Sequence, residues 1–281
     1  MNMQVTVGVR VASTVSADGT VISYRSQGSG PGLLVVPGAL GVAADFDGLA
    51  AQLAHHFTVH VIDRRGRGGS GPQGDGYGVD AECADIAAVR EVTGARNVFG
   101  HSFGGFLTLE AALRGGFDRV VVYEPGVSVD GSVPMGWAEE CERLLDAGKP
   151  AEAFLAFIQG INPETTGKAP RRLLRLIIPL AIRKRERLQK YALLATAVRE
   201  HRESAGRDND FPKYAGITSS VLLMAGKGIE NTGAGRATVR LHETLAGSEL
   251  ARFPKLDHFG PEKDPKAIAA ATAAFCLEHL R

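Results

Sequence analysis

Cysteine is scarce: Cys83, Cys141 and Cys276 are the only three, odd in number and far apart. That excludes a disulfide scaffold and leads us to expect free thiols in a reducing compartment. No His, Cys and carboxylate cluster has zinc-ligand spacing, and no glycine-rich loop carries a Walker lysine, so neither a metal nor another cofactor is expected. Net charge is almost absent, since 32 basic and 31 acidic residues leave +1. The balance gives no electrostatic reason to expect a nucleic-acid partner. No apolar run approaches the roughly 18 residues of a membrane-spanning helix. The opening MNMQVTVGVR has no basic stretch ahead of an apolar core, so no secretory signal is expected and a cytoplasmic location is. What remains is ordinary for a globular chain: 44% hydrophobic and 22% charged residues over 281 positions. One large α/β domain, or one domain with an insertion, is the expectation.

The first third alternates strand-like and helix-like runs. QVTVGVRVAST and TVISYRS flank the turn-rich Ser16-Ala17-Asp18-Gly19 and read as an antiparallel hairpin. GLLVVPG and FTVHVID are nearly continuous apolar runs, the signature of parallel strands covered on both faces. Helical spacing follows each, at Asp45 to Ala54 and at 79–93. NVFG, then FLTLEAALR, then RVVVYEP continue the rhythm. From about Val133 to Pro212 it breaks into helices without a convincing strand, and then resumes. SSVLLMAG, a helix near 234–246, SELARFPKL and a last helix opened by Asp264-Pro265 complete it. The pattern calls for a mostly parallel central sheet flanked by helices, with core segments 1–132 and 213–281 and a helical cap at 133–212.

The sharpest chemical signal is Gly100-His101-Ser102-Phe103-Gly104 between a strand and a helix. A serine there must sit on a tight turn, with small neighbours because strand and helix backbones converge on it. Its hydroxyl projects above the sheet edge as a candidate nucleophile, and the amide of Phe103 faces charge developing on a substrate carbonyl. The bland alternative is a tight turn with an inert serine.

With this elbow in view the chain resembles the α/β-hydrolase family, over nearly its whole length. Val35-Val36-Pro37-Gly38-Ala39 follows the third strand, and Asp63-Arg64-Arg65-Gly66-Arg67-Gly68-Gly69-Ser70 is similar to the family's D-x-R-G-x-G-x-S segment. Leu256-Asp257-His258-Phe259-Gly260-Pro261 follows the last strand. The resemblance implies that His258, alone among the eight histidines, is the base that activates Ser102. It also implies that the Ala39 amide joins Phe103 in an oxyanion hole. For the orienting acid it leaves two choices: Glu124, at the end of the strand after the elbow helix, and Glu230, in the loop after Val221–Met224. Glu124 is the first choice and Glu230 the alternative, because the usual loop aspartate is missing. His101 is expected beside the serine without acting as base. The other six histidines, His55, His56, His60, His201, His242 and His279, are expected in packing, surface or helical positions. Asp63 and the glycines behind it are expected to be architectural.

The expected activity is that of a serine hydrolase acting on an ester-like bond of a small molecule (carboxylic ester, thioester or lactone) through an acyl-serine. Three other readings stand beside it: a carbon–carbon bond hydrolase, a cofactor-free perhydrolase and a non-catalytic ligand receptor. The segment 171–190 is rich in Arg and Lys, with Glu186 its one acidic residue and Pro179 expected to kink or divide its helix. Its basic side chains are expected to form a solvated face; the sharper reading is attraction of an anionic substrate, an acidic partner or a membrane surface.

Overall fold

A computed structural model describes residues 8–163 and 166–278. Its strands are β1 Arg10–Val15, β2 Val21–Gly28, β3 Gly32–Val36, β4 Thr58–Ile62, β5 Asn97–His101, β6 Arg119–Tyr123, β7 Ser220–Ala225 and β8 Glu249–Arg252. They form one sheet in the order β1-β2-β4-β3-β5-β6-β7-β8. The β1–β2 and β2–β4 pairs are antiparallel and all others parallel. The hairpin closes as its sequence indicates, with Ser16 N donating to Thr20 O at 2.8 Å and Gly19 at φ +86°. The first residues of QVTVGVRVAST, up to position 7, lie outside the described residues.

The apolar runs are explained by burial on two faces. Leu34, Val36, Val98, Val120 and Val122 face one core, shared with helices α2 Val79–Thr93 and α3 Phe103–Leu113. Leu33, Val35, Phe99 and Val121 alternate with them into a second core, beneath α1 Asp47–Leu53 and α11 Pro265–Leu277. Asp264 caps α11 by accepting from the Ala267 amide at 3.1 Å, which leaves Pro265 at the first helical position where no donor is missed.

Between β6 and β7 the chain forms α4 Ala138–Asp146, α5 Pro150–Ile161, α6 Arg171–Ala181, α7 Lys184–Ala192 and α8 Leu194–Ala205, with no strand among the described residues. After β7, α9 Gly233–Thr244 packs back on the sheet, and α10 Gly260–Lys263 precedes α11. Pro179 lies in the last turn of α6, which runs two residues past it before Ile182 and Arg183 divide the segment from α7. The carbonyls at the α6 terminus are satisfied from α7, because Arg187 Nη1 donates to Pro179 O at 3.0 Å and Ile182 O at 2.7 Å. The basic segment is also less bare than its sequence indicates. Arg171 pairs with Glu140 of α4 at 2.7 Å and Arg175 with Glu152 of α5 at 2.6 Å. The α6 face still exposes Leu176 and, at 88%, Leu180. Among the described residues no helix is long and apolar enough to cross a membrane.

Candidate active site

The turn between β5 and α3 is as tight as its sequence demands. Ser102 sits at φ 54°, ψ −125°, a strained conformation for a residue with a side chain. It is held there from three directions: its amide donates to Tyr123 O at 3.0 Å, and its carbonyl accepts from Gly126 N at 2.7 Å and Phe106 N at 3.1 Å. The flanking glycines are required by close approach. A Cβ at Gly104 would stand 2.2 Å from Val36 O, and one at Gly100 would stand 2.3 Å from Thr108 Oγ1. Phe103 opens α3, so its amide belongs to the first turn, whose N–H groups have no partner within the helix. The β3 loop lies alongside, where a Cβ on Gly38 would be 3.1 Å from Ser102 Cβ.

Glu124 continues β6 past its last ladder residue. Its amide donates to Met224 O at 2.9 Å, and its φ of 41° turns the side chain out of the strand register. The carboxylate is 3% exposed and fully used. Oε1 accepts from the Gly226 amide at 2.8 Å, and Oε2 accepts from His258 Nδ1 at 2.7 Å. Burial alone would raise the Glu124 pKa; the hydrogen bond and charge of His258 and the Gly226 amide outweigh it and hold the carboxyl below its ordinary value. For His258 the balance runs the other way: burial pulls the imidazole down, and Glu124 lifts it above its ordinary value. Because Nδ1 is committed to Glu124, Nε2 is the ring atom left for a hydroxyl.

The loop carrying His258 is fixed from the sheet. Tyr123 Oη donates to Asp257 O at 2.7 Å, and His101 Nε2 donates to His258 O at 2.7 Å. Burial, with the neighbouring His258, pushes the His101 imidazole down to about 3, so it stays neutral. Its ring centroid lies 4.9 Å from that of His258. His101 immediately precedes Ser102 in the chain, so the elbow and the loop carrying His258 meet at the same edge of the sheet. No hydrogen bond joins the two side chains among the described residues. Catalytic hydrogen bonds of unliganded enzymes are often long and tighten with substrate.

The remaining candidates lie elsewhere. Glu230 is 76% exposed and 3.8 Å from Arg252 on the surface, with no contact to His258. Asp257 turns away to Lys263 and the Phe259 amide. His60 bonds Ser26 Oγ, His201 bonds Ala197 O and His242 bonds Ser248 Oγ, while His55 and His56 are exposed. His279 lies outside the described residues. Asp63 is structural, accepting from Ala43 N at 2.8 Å and Gly69 N at 3.1 Å.

Sequence reading missed two features. Glu262, four residues after His258, places its carboxylate 3.6 Å from His101 Nδ1, and burial pushes it up to about 7. Behind the β3 loop, Arg64 and Arg67 are buried with Glu82 and Glu200. The arginines stood in a recognisable motif, but their counter-ions are distant in sequence and carried no local signal. Among the described residues no group of three His, Cys or carboxylate side chains is placed to hold a metal ion.

Comparison with known proteins gives a consistent result. The model of the alpha/beta hydrolase family matches residues 33–271. The chain is 40% identical over 154 residues to N-formylmaleamate deformylase of Pseudomonas putida, a match covering 51% of this chain and 57% of that protein. It is 36% identical over 108 residues to a non-heme haloperoxidase of Rhodococcus erythropolis, covering 37% of this chain and 39% of that protein. Matches to these curated relatives thus span about half of their length or less. Among solved structures, an alpha/beta hydrolase from Sphaerobacter thermophilus superposes with TM-score 0.78 at 29% identity, covering 94% of this chain and 100% of that one.

Proposed function

The chain belongs to the alpha/beta hydrolase family, and from that premise we propose that it is a serine hydrolase cleaving an ester-like bond of a small molecule through an acyl-serine intermediate. The observation that carries this reading is the 2.7 Å hydrogen bond from His258 Nδ1 to Glu124 Oε2, which commits one ring nitrogen and leaves Nε2 to receive the Ser102 proton in the proposed reaction. In the proposed reaction His258 Nε2 takes the Ser102 proton as Oγ attacks the acyl carbon. The oxygen of the tetrahedral intermediate takes up the negative charge and is met by the amides of Ala39 and Phe103. Protonated His258 then gives its proton to the leaving group, and the bond to that group breaks. Water repeats the sequence on the acyl-serine, releasing the acid and restoring the Ser102 hydroxyl. Glu124 holds the imidazole in one tautomer and stabilises its charged form throughout. Residues 133–212 form the cap over core segments 1–132 and 213–281 in this reading, and supply the wall that selects the substrate.

Two experiments test it. A fluorophosphonate probe should modify the wild-type chain stoichiometrically at Ser102 and leave Ser102→Ala unlabelled; a wild type that does not react points to a ligand receptor instead. A panel of carboxylic esters, thioesters and lactones then defines the substrate, with N-formyl amides included because of the deformylase similarity. The similarity to a haloperoxidase favours one second reading, perhydrolysis on the same serine. Acetate with hydrogen peroxide, assayed for peracetic acid, separates it from simple hydrolysis.

A further inference from the structure

Gly38 and Ala39 share one peptide unit. In a trans peptide the carbonyl and the N–H lie in a common plane and point in opposite directions, so whatever holds the Gly38 oxygen also aims the Ala39 N–H. Two buried guanidinium groups hold that oxygen: Arg64 Nη2 donates to it at 3.1 Å and Arg67 Nη1 at 3.2 Å. The neighbouring carbonyls are held as well. Arg64 Nε donates to Pro37 O at 2.9 Å, and Arg67 Nη1 donates to Ala39 O and to Gly41 O.

Two guanidinium charges shut away from water need counter-charges in contact. Arg64 Nη1 finds one in Glu82 of α2, 2.7 Å from Oε1. The other comes from the inserted helices. Glu200 of α8 accepts from Arg64 Nη2 through Oε2 at 3.0 Å and from Arg67 Nη2 through Oε1. The side chains of Arg64, Arg67 and Glu200 are wholly buried, so no solvent substitutes for this carboxylate. Thr196, one turn earlier on α8, adds a contact to Arg67 Nη2 at 3.4 Å.

We propose that Glu200 is a positioning residue for the reaction at Ser102: it holds Arg64 and Arg67 against the Gly38 carbonyl, and through that peptide it aims the Ala39 amide at the oxyanion. The inference rests on the acyl-serine reading above. One carboxylate then ties α8 to the oxyanion loop, so a shift of α8 reaches the Ala39 amide through Arg64 and Arg67.

The test uses the full chain with 4-nitrophenyl acetate as substrate. An aryl boronic acid serves as the tetrahedral analogue, and acetate as the ground-state ligand. Glu200→Gln removes the charge while keeping the shape. Since that leaves an unbalanced cation in the interior, Arg67→Gln with Glu200→Gln is made in parallel, leaving Arg64 and Glu82 as a neutral pair. A mis-aimed donor should lower kcat of the double variant by about 10- to 100-fold, with KM within about twofold of wild type. Boronate affinity should fall in step with kcat while acetate affinity holds. A merely structural role would not split the two ligands. A double variant that melts cooperatively yet keeps kcat within about twofold overturns the proposal, as does equal loss of boronate and acetate affinity. A double variant that fails to fold overturns it too, because the cluster is then required for the fold itself. A wild type that neither turns over the ester nor takes a fluorophosphonate at Ser102 overturns the acyl-serine reading, and this inference with it.

Discussion

At the scale of single residues, the two candidate acids are separated by where their carboxylates end up. Glu124 is buried against the His258 ring and Glu230 stands in solvent beside Arg252. Glu124→Gln should therefore lower kcat by about 10²-fold or more, whereas Glu230→Gln should stay within about twofold, both read from steady-state kinetics on one ester. The reverse pattern would exchange their roles. The same pair makes a prediction for pH. His258 must be neutral to accept a proton, and Glu124 holds its pKa above the ordinary 6.5, so the acid limb of kcat/KM in the wild type should lie above that value. In Glu124→Gln the main raising partner is gone, and burial, which lowers the pKa, remains against the smaller pull of Glu262 and Asp257. The limb should then move to lower pH in the residual activity; a limb that stays fixed or rises would mean that another group titrates there. Choosing between the two acids from sequence had a physical limit. Both follow strands in the chain, and only the pairing of β6 with β7, with Tyr123 opposite Met224, brings Glu124 to the Gly226 amide and its side chain to His258.

At the scale of elements, what was legible is what local composition determines. Runs such as GLLVV and RVVVY are apolar at every position because alternate side chains enter two different cores, and such runs announce buried strands without any partner being known. Asp264-Pro265 announced the start of α11 for an equally local reason. Removing that cap in Asp264→Ala should cost about 1 kcal/mol, measured as a lower urea midpoint with activity retained. Pro179 likewise announced the break between α6 and α7, whereas the partner that closes the end of α6, Arg187 of α7, carried no local signal. The elbow is the element most exposed to a small change. A methyl group at Gly104 meets the backbone oxygens of Val36 and Pro37 at 2.2 and 2.5 Å, and backbone on both sides cannot yield as a side-chain tip would. Gly104→Ala should destabilise by about 1–3 kcal/mol and, unlike Asp264→Ala, abolish fluorophosphonate labelling at permissive temperature. Normal labelling in a folded Gly104→Ala chain would show that the strand and helix separate without disturbing Ser102.

At the scale of the whole molecule, the sheet joins residues far apart in the chain, and each such junction ties the site to global stability. The contact between Glu124 and His258 spans 134 positions and Arg64 with Glu200 spans 136, so neither exists without the complete fold. For the first pair this has a measurable sign. Glu124 is held below its ordinary 4.5, so its contribution is present above that pH and is lost as pH falls through its lower folded value. His258 is held above its ordinary 6.5, so its contribution is complete below that pH and is lost as pH rises through its higher folded value. Both contributions are complete together only between those two ordinary values. The difference in melting temperature between wild type and Glu124→Gln should therefore be largest in the window from 4.5 to 6.5 and shrink on both sides of it. Thermal melts at closely spaced pH and constant ionic strength test this directly. A difference that is flat with pH would mean that Glu124 stabilises the fold without an interaction that depends on its charge. One that keeps growing into alkaline solution would contradict a charged imidazole beside Glu124 in the folded state.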